Sequence, residues 1–231
     1  MLLLAKTYNV WGRTFRTYNR RGSPCLALLL AVGAIRFNFK MSTRHVTTMR
    51  AWQWSSCTDG LENALQLADA VPIPTARQPL GLGECLIQVH AAALNPVDYK
   101  LAELPVVGRV AIRKPATPGL DFSGRVVEVG PDCHVCIGQM VFGKLEPKQQ
   151  FGTLGEYIVG SKTGTVPLPD GVSAEHAATL GVCGLVTYQC LAPNVKPKDK
   201  IFINGGSGGT GSFAVQIAKA LGCHVTTTCS G

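Results

Sequence analysis

Three features predict a barrel-like domain of short strands, followed by the opening strand–helix–strand of a parallel α/β domain. From Met49 to about residue 170, short alternating or apolar runs are broken by Gly and Pro at intervals of roughly 10–20 residues, the spacing of an all-β domain. Pro167, Pro169, Asp170 and Gly171 then interrupt the pattern. Beyond them come a compact apolar strand, a glycine-rich turn, an amphipathic helix and a β-branched strand. The class is therefore α/β plus β. Its boundaries are 1–48 for a basic leader, 49–170 for the β domain and 171–231 for the first part of the α/β domain.

Each element has a local reason. Residues 84–90 alternate and are apolar-rich, residues 124–130 form a strand ended by a turn, and residues 140–143 and 156–160 give two more strands. After the break, Ser173 is an N-cap with Glu175 and His176 in the first turn of a helix that runs to Leu191, and Pro193 ends it. Residues 196–200 form a solvated turn and residues 201–203 a buried strand. Phe213, Ile217 and Leu221 fall at i, i+4 and i+8 of the next helix, with Ala214 and Ala218 beside them, and Gly222 closes it. Residues 223–228 complete the unit as a strand.

A chain of 231 residues that is 46% hydrophobic and 16% charged is not wholly disordered, collagen-like or a coiled coil. Its net charge of +8 would suggest an acidic partner. However, nine basic residues and no acid lie in the first 50 positions, leaving thirteen basic against fourteen acidic residues in the other 181. The body is near neutral, and nucleic acid is not an expected partner. Three readings of the leader stand. A basic, acid-free segment with Ser and Thr is the composition of a mitochondrial transit peptide. Translation from Met41 or Met49 would instead leave a cytoplasmic protein. The 11-residue apolar run at 25–35 is too short for a span, which takes roughly 20 residues, but would serve a secretory signal or an anchor. Nine scattered cysteines point to reduced intracellular thiols, not a disulfide framework.

The chemistry-bearing motif is G-x-G-x-x-G at Gly206, Gly208 and Gly211, with Ser207, Gly209 and Thr210 between them. Following a strand and opening a helix, it is the dinucleotide fingerprint of a Rossmann unit. Gly206 is expected to make the tight turn, Gly208 to let the backbone approach a pyrophosphate, and Gly211 to let the helix pack. The unpaired N–H groups at the helix start then hold the anion. An acid about 20 residues on would bind the ribose 2′-hydroxyl of NAD. Ser230 stands there, and residues 225–231 hold no Asp or Glu, which favours NADPH.

The segments Gln88-Val-His-Ala-Ala-Ala-Leu-Asn-Pro-Val-Asp-Tyr-Lys100 and Pro118-Gly-Leu-Asp-Phe-Ser-Gly-Arg-Val-Val-Glu-Val-Gly130 resemble the medium-chain dehydrogenase/reductase superfamily. So do Gly152-Thr-Leu-Gly-Glu-Tyr157, Gly184-Leu-Val-Thr-Tyr188 and the glycine loop. The likeness is to the zinc-free quinone oxidoreductase and enoyl reductase branch. It implies a GroES-like β-barrel catalytic domain followed by a Rossmann domain. Zinc-dependent members carry a Cys in the first segment and Gly-His-Glu in the second. Here Asn95-Pro96-Val97-Asp98 and Gly119-Leu120-Asp121 stand in those places, so no zinc is expected. Cys133 and Cys136 have C-x-x-C spacing but no second pair, and read as turn and strand-edge residues.

Without a Lewis acid, the implied chemistry is hydride transfer from NADPH to a small electrophilic acceptor: a quinone, an enone or an enoyl thioester. In related zinc-free reductases the Asn and Asp of Asn-Pro-x-Asp lie near nicotinamide and substrate, which makes Asn95 and Asp98 the candidates. The alternative is that Asn95-Pro96 is a turn and Asp98 a solvated cap. Tyr99 is a candidate proton donor to an enolate, or else a packing residue. The family's Gly-Leu-Thr-x-Tyr pattern has Val186 in its Thr position, with Thr187 next, so Thr187 is the candidate for a bond to the cofactor carboxamide. Full-length relatives are often homo-oligomeric. Only about two of the usual six Rossmann strands are expected in this length. The alternatives to an active oxidoreductase are thus a catalytically inactive truncated fragment or binding module, and a membrane-associated protein held by the leader.

Overall fold

The computed structural model describes residues 47–229, apart from 77, 105–109 and 148. The predicted leader, save its last two residues, and Ser230 lie outside the described residues. The described chain divides into two compact units, one up to Gly181 and one from Val182.

In the first unit, β1 (Thr48–Gln53) pairs antiparallel with β2 (Gln66–Pro72), separated by the single turn of α1 (Leu61–Ala64). Alternation along β1 buries Met49 and Ala51, which join Val71, Ile73, Leu86 and Tyr157 in one apolar cluster. The second sheet contains β3 (Cys85–Ala93), β4 (Asp121–Val129), β5 (Met140–Lys144), β6 (Tyr157–Gly160) and β7 (Thr165–Pro167), in the order β6-β3-β4-β5-β7. All its pairings are antiparallel. Its centre is apolar: Ile87, Val89, Phe122, Val126, Val141 and Ile158 are fully buried.

The two sheets meet at an Ala51–Gly155 bridge and at Arg50. The Arg50 guanidinium donates to Glu156 Oε1 at 2.8 and 3.0 Å, and its backbone N–H to Oε2 at 2.9 Å. Among the described residues the barrel is thus two antiparallel sheets clasped together, not one closed ring of strands.

A helix at 96–103 was not among the predicted elements. α2 (Pro96–Glu103) has Asn95 as N-cap, Pro96 in its first turn and Asp98 at the third position, and ends where the Leu104 N–H donates to the Lys100 carbonyl. The predicted helix at 173–191 is two helices. α3 (Ala174–Ala178) starts on Ser173, whose Oγ accepts from the His176 N–H at 3.3 Å, and stops where the Thr179 hydroxyl and N–H both return to His176 O. It packs on β3 and β4, and the Ser123 hydroxyl donates to the Ala174 carbonyl at 2.6 Å. The first compact unit therefore runs past the Pro/Gly break at 170 and takes α3 with it.

The second unit holds α4 (Val182–Leu191), β8 (Lys200–Ile203), α5 (Gly209–Ala220) and β9 (His224–Thr227). β8 and β9 are parallel, with Ile201 opposite Val225, the strand–helix–strand expected from the pattern. Ala214 and Ala218 are buried on α5, and Gly222 ends it at φ +82°. None of the eight described cysteines is in a disulfide.

Candidate functional site

In the first unit, sheet register brings three polar side chains together. Ala93 lies opposite Asp121 in the β3–β4 pairing, so the turn into α2 starts beside the first residue of β4. Asn95, two residues on, donates through Nδ2 to Asp121 Oδ2 at 2.9 Å. Its backbone N–H donates to Asp98 Oδ2 at 2.6 Å, the carboxylate half of a capping box. Asn95, Asp98 and Asp121 are 9%, 8% and 1% exposed. Asp98 is therefore a cap, but a buried one rather than a solvated one.

Burial pushes the Asp98 carboxyl up to about 7, and the charge on Asp121 pushes the same way. The N–H groups of Asn95 and Leu120 and the Asn95 side chain pull against them. A carboxyl that exchanges its proton near neutral pH can act as acid or base where a solvated one cannot. Tyr99 follows Asp98 on the helix. It packs against the apolar cluster of Trp54, Leu61, Ala102, Ile112 and Ala116. Asp121 was overlooked as a site residue. Its signal was an acid opening an otherwise apolar strand, Asp121-Phe-Ser-Gly124.

In the second unit the glycine loop joins β8 to α5. The left-handed residue is Gly205 at φ +76°, so the tight turn lies one residue before its expected place at Gly206. Gly206 is needed for a different reason: a Cβ there would strike Thr227 Oγ1 on β9. A Cβ at Gly211 would strike the Gly205 carbonyl, so the helix start sits directly on the loop. Gly208 differs from both. It is the N-cap of α5 at φ −77°, and a Cβ would meet nothing closer than Gly205 O at 3.4 Å.

The loop is braced from β9: the Gly206 N–H donates to Thr228 O at 2.8 Å and the Gly205 N–H to Thr228 Oγ1 at 2.9 Å. Ser207, Gly209 and Thr210 complete the turn into the helix. The Thr187 hydroxyl is 2% exposed, donates to Cys183 O at 2.7 Å and lies 3.2 Å from Thr210 O. It fastens α4 to the first turn of α5. Among the described residues no group of three or more His, Cys, Asp or Glu side chains is placed to hold a metal ion, and no helix is long and apolar enough to cross a membrane.

Residues 81–170 match the alcohol dehydrogenase GroES-like domain family. The chain is 44% identical over 198 residues to the trans-enoyl reductase pgmF of Aspergillus terreus, covering 82% of this chain and 56% of that protein. It is 34% identical over 189 residues to a chloroplastic quinone-oxidoreductase homolog of Spinacia oleracea, covering 78% and 55%. The solved quinone oxidoreductase of Coxiella burnetii superposes with a TM-score of 0.68 at 34% identity, covering 79% of this chain and 56% of that one. The chain spans about half the length of the curated relatives it matches.

Proposed function

Because the chain belongs to the medium-chain dehydrogenase/reductase superfamily, we propose that it serves hydride transfer from NADPH to a small electron-poor acceptor: a quinone, an enone or an enoyl thioester. The observation that carries this reading is Gly208. Protein contacts require glycine at 206 and 211, but none requires it at 208, the position where a pyrophosphate would approach the backbone. The absence of Asp and Glu from residues 225–231 favours NADPH, since a carboxylate there would repel a 2′-phosphate. The similarity to trans-enoyl and quinone reductases supports the acceptor class.

When bound, the reduced nicotinamide supplies the hydride. The first N–H groups of α5 and the positive end of its dipole would hold the pyrophosphate. Asn95 fixes the Asp98 carboxyl through its backbone N–H and ties the turn to Asp121 through its amide. Asp98, whose carboxyl exchanges its proton near neutral pH, holds the proton that completes the reduction. With an enone, hydride adds at the β-carbon, the C=C π pair moves toward the carbonyl, and the proton closes at the α-carbon. The zinc-ligand positions of the family carry no Cys or His in this chain, and no step calls for a metal.

Titrating the chain with NADPH and with NADH, followed by nicotinamide fluorescence, tests the reading. Gly208→Ala is expected to weaken NADPH binding about tenfold or more. It should lower Tm by only about 2–4 °C: its φ of −77° suits alanine, and the cost is that of a poorer N-cap. Gly211→Ala should lose stability first. Equal NADPH affinity in Gly208→Ala and the native chain would defeat the proposal.

A further inference from the structure

Asn204 and Gly205 form the only asparagine–glycine pair in the sequence. They sit just past β8, where the glycine loop begins. Both are exposed, and a Cβ at Gly205 would meet nothing within 4 Å, so solvent reaches the peptide bond between them. Asparagine before glycine is prone to deamidation, because no side chain shields the glycine nitrogen from the asparagine carboxamide.

The fold adds a third group. Thr228, just past β9, accepts from the Gly205 N–H through Oγ1 at 2.9 Å, and the same hydroxyl donates to Asn204 Oδ1 at 2.6 Å. One hydroxyl thus touches both reacting partners, as acceptor toward the nucleophile and donor toward the carbonyl. Backbone bonds on either side fix its place. The Thr228 N–H donates to Ile203 O at 3.2 Å, and Thr228 O accepts from the Gly206 N–H at 2.8 Å. Asn63 and Asn194 are exposed too, but they precede Ala64 and Val195, and each donates through Nδ2 to a carbonyl four residues back.

We propose that Asn204 is a self-modification site, at which the Thr228 hydroxyl relays the proton that lets the Gly205 nitrogen attack Asn204 Cγ. The nitrogen passes its proton to Thr228 Oγ1 as the N–C bond forms, and the Thr228 proton moves to Asn204 Oδ1. The tetrahedral carbon then expels the amide nitrogen as ammonia, which takes the proton from the new hydroxyl, and a succinimide remains. Water opens that ring to aspartate or isoaspartate. The sum is asparagine plus water to aspartate plus ammonia, with no change of oxidation state. Asp199 is the only acid in residues 182–231, so the modification gives the glycine loop a carboxylate where it had none. On the cofactor reading proposed above, that charge opposes a pyrophosphate at the start of α5. The modification itself does not rest on that reading.

Peptide mapping by mass spectrometry, on the whole chain held in mildly alkaline buffer, gives the test. Asn204 is expected to convert at least as fast in the folded chain as in the chain unfolded in urea, with Asn63 and Asn194 unchanged in the folded chain. Thr228→Val should slow the conversion about tenfold, and Thr228→Ser should keep the native rate. An Asn204 that folding protects relative to urea, or a valine variant that converts at the native rate, overturns the proposal. Fresh and converted protein are then titrated with NADPH. Binding about tenfold weaker after conversion supports the effect on the loop, and equal binding overturns that effect. Binding by neither form counts against the cofactor reading and leaves the mass result to decide the modification.

Discussion

Replacing Asp98 by Asn is expected to stabilise the protein by about 2–4 kcal/mol at pH 8 while leaving it nearly unchanged near pH 3. Burial raises the Asp98 carboxyl from 3.8 to about 7 in the folded chain, so between those values the folded state holds a proton that the unfolded state releases. Native stability therefore falls as pH rises from about 4 to about 7, and the contribution of this group is flat above that window. Asparagine keeps an oxygen for the Asn95 N–H, which now reaches Asp98 Oδ2 at 2.6 Å, and carries no charge to desolvate. Urea denaturation of both proteins across pH 3–9 isolates the effect, because every other titrating group is common to the two curves. Curves that stay parallel would show that Asp98 ionises freely in the fold. The same substitution removes a transferable proton, so a gain in stability with a loss of turnover would mark the native carboxyl as retained for chemistry.

The β domain was readable because its strands announce themselves locally. Residues 84–90, 124–130, 140–143 and 156–160 became the cores of β3, β4, β5 and β6, each from alternation or an apolar run between turn residues. The glycine loop was readable for the same reason: fingerprint, flanking strand and helix are contiguous. What escaped was either short or long-range. α2 is eight residues, too brief for periodicity to rise above the Asn-Pro turn signal at its start. The partnership of Asn95 with Asp121 spans 26 positions and depends on the β3–β4 register, which has irregularities at Leu86/Ile87 and Val89/Ala91 that no local pattern specifies. The run 173–191 misled because Thr179 is a plausible helix residue by propensity; only its return bonds to His176 end α3 there. The shift of the tight turn from Gly206 to Gly205 has a similar origin. With glycines at both positions, sequence could not choose which of them takes the positive φ.

Gly119→Ala should destabilise the chain by about 2–4 kcal/mol, against about 1 kcal/mol for Gly171→Ala. Both residues have positive φ, +103° at Gly119 and +77° at Gly171, so both substitutions carry backbone strain. They differ in surroundings. A Cβ at Gly171 meets nothing within 4 Å, whereas one at Gly119 would strike Thr153 Oγ1 and sit 3.2 and 3.3 Å from the backbone N of Thr153 and Leu154. Those nitrogens cannot easily retreat. The Thr153 N–H donates to Gly119 O at 3.0 Å and the Leu154 N–H to Pro118 O at 3.1 Å, so relieving the clash breaks the contacts that join the two segments. The difference between the two variants, read from their denaturation midpoints, thus measures how rigidly residues 152–154 are held against residues 117–120. That rigidity bears on the site, because the same segment aims the Leu120 N–H at Asp98 and leads into Asp121 at the start of β4. If Gly119→Ala costs no more than Gly171→Ala, residues 152–154 give way and do not hold residues 117–120 rigidly in place.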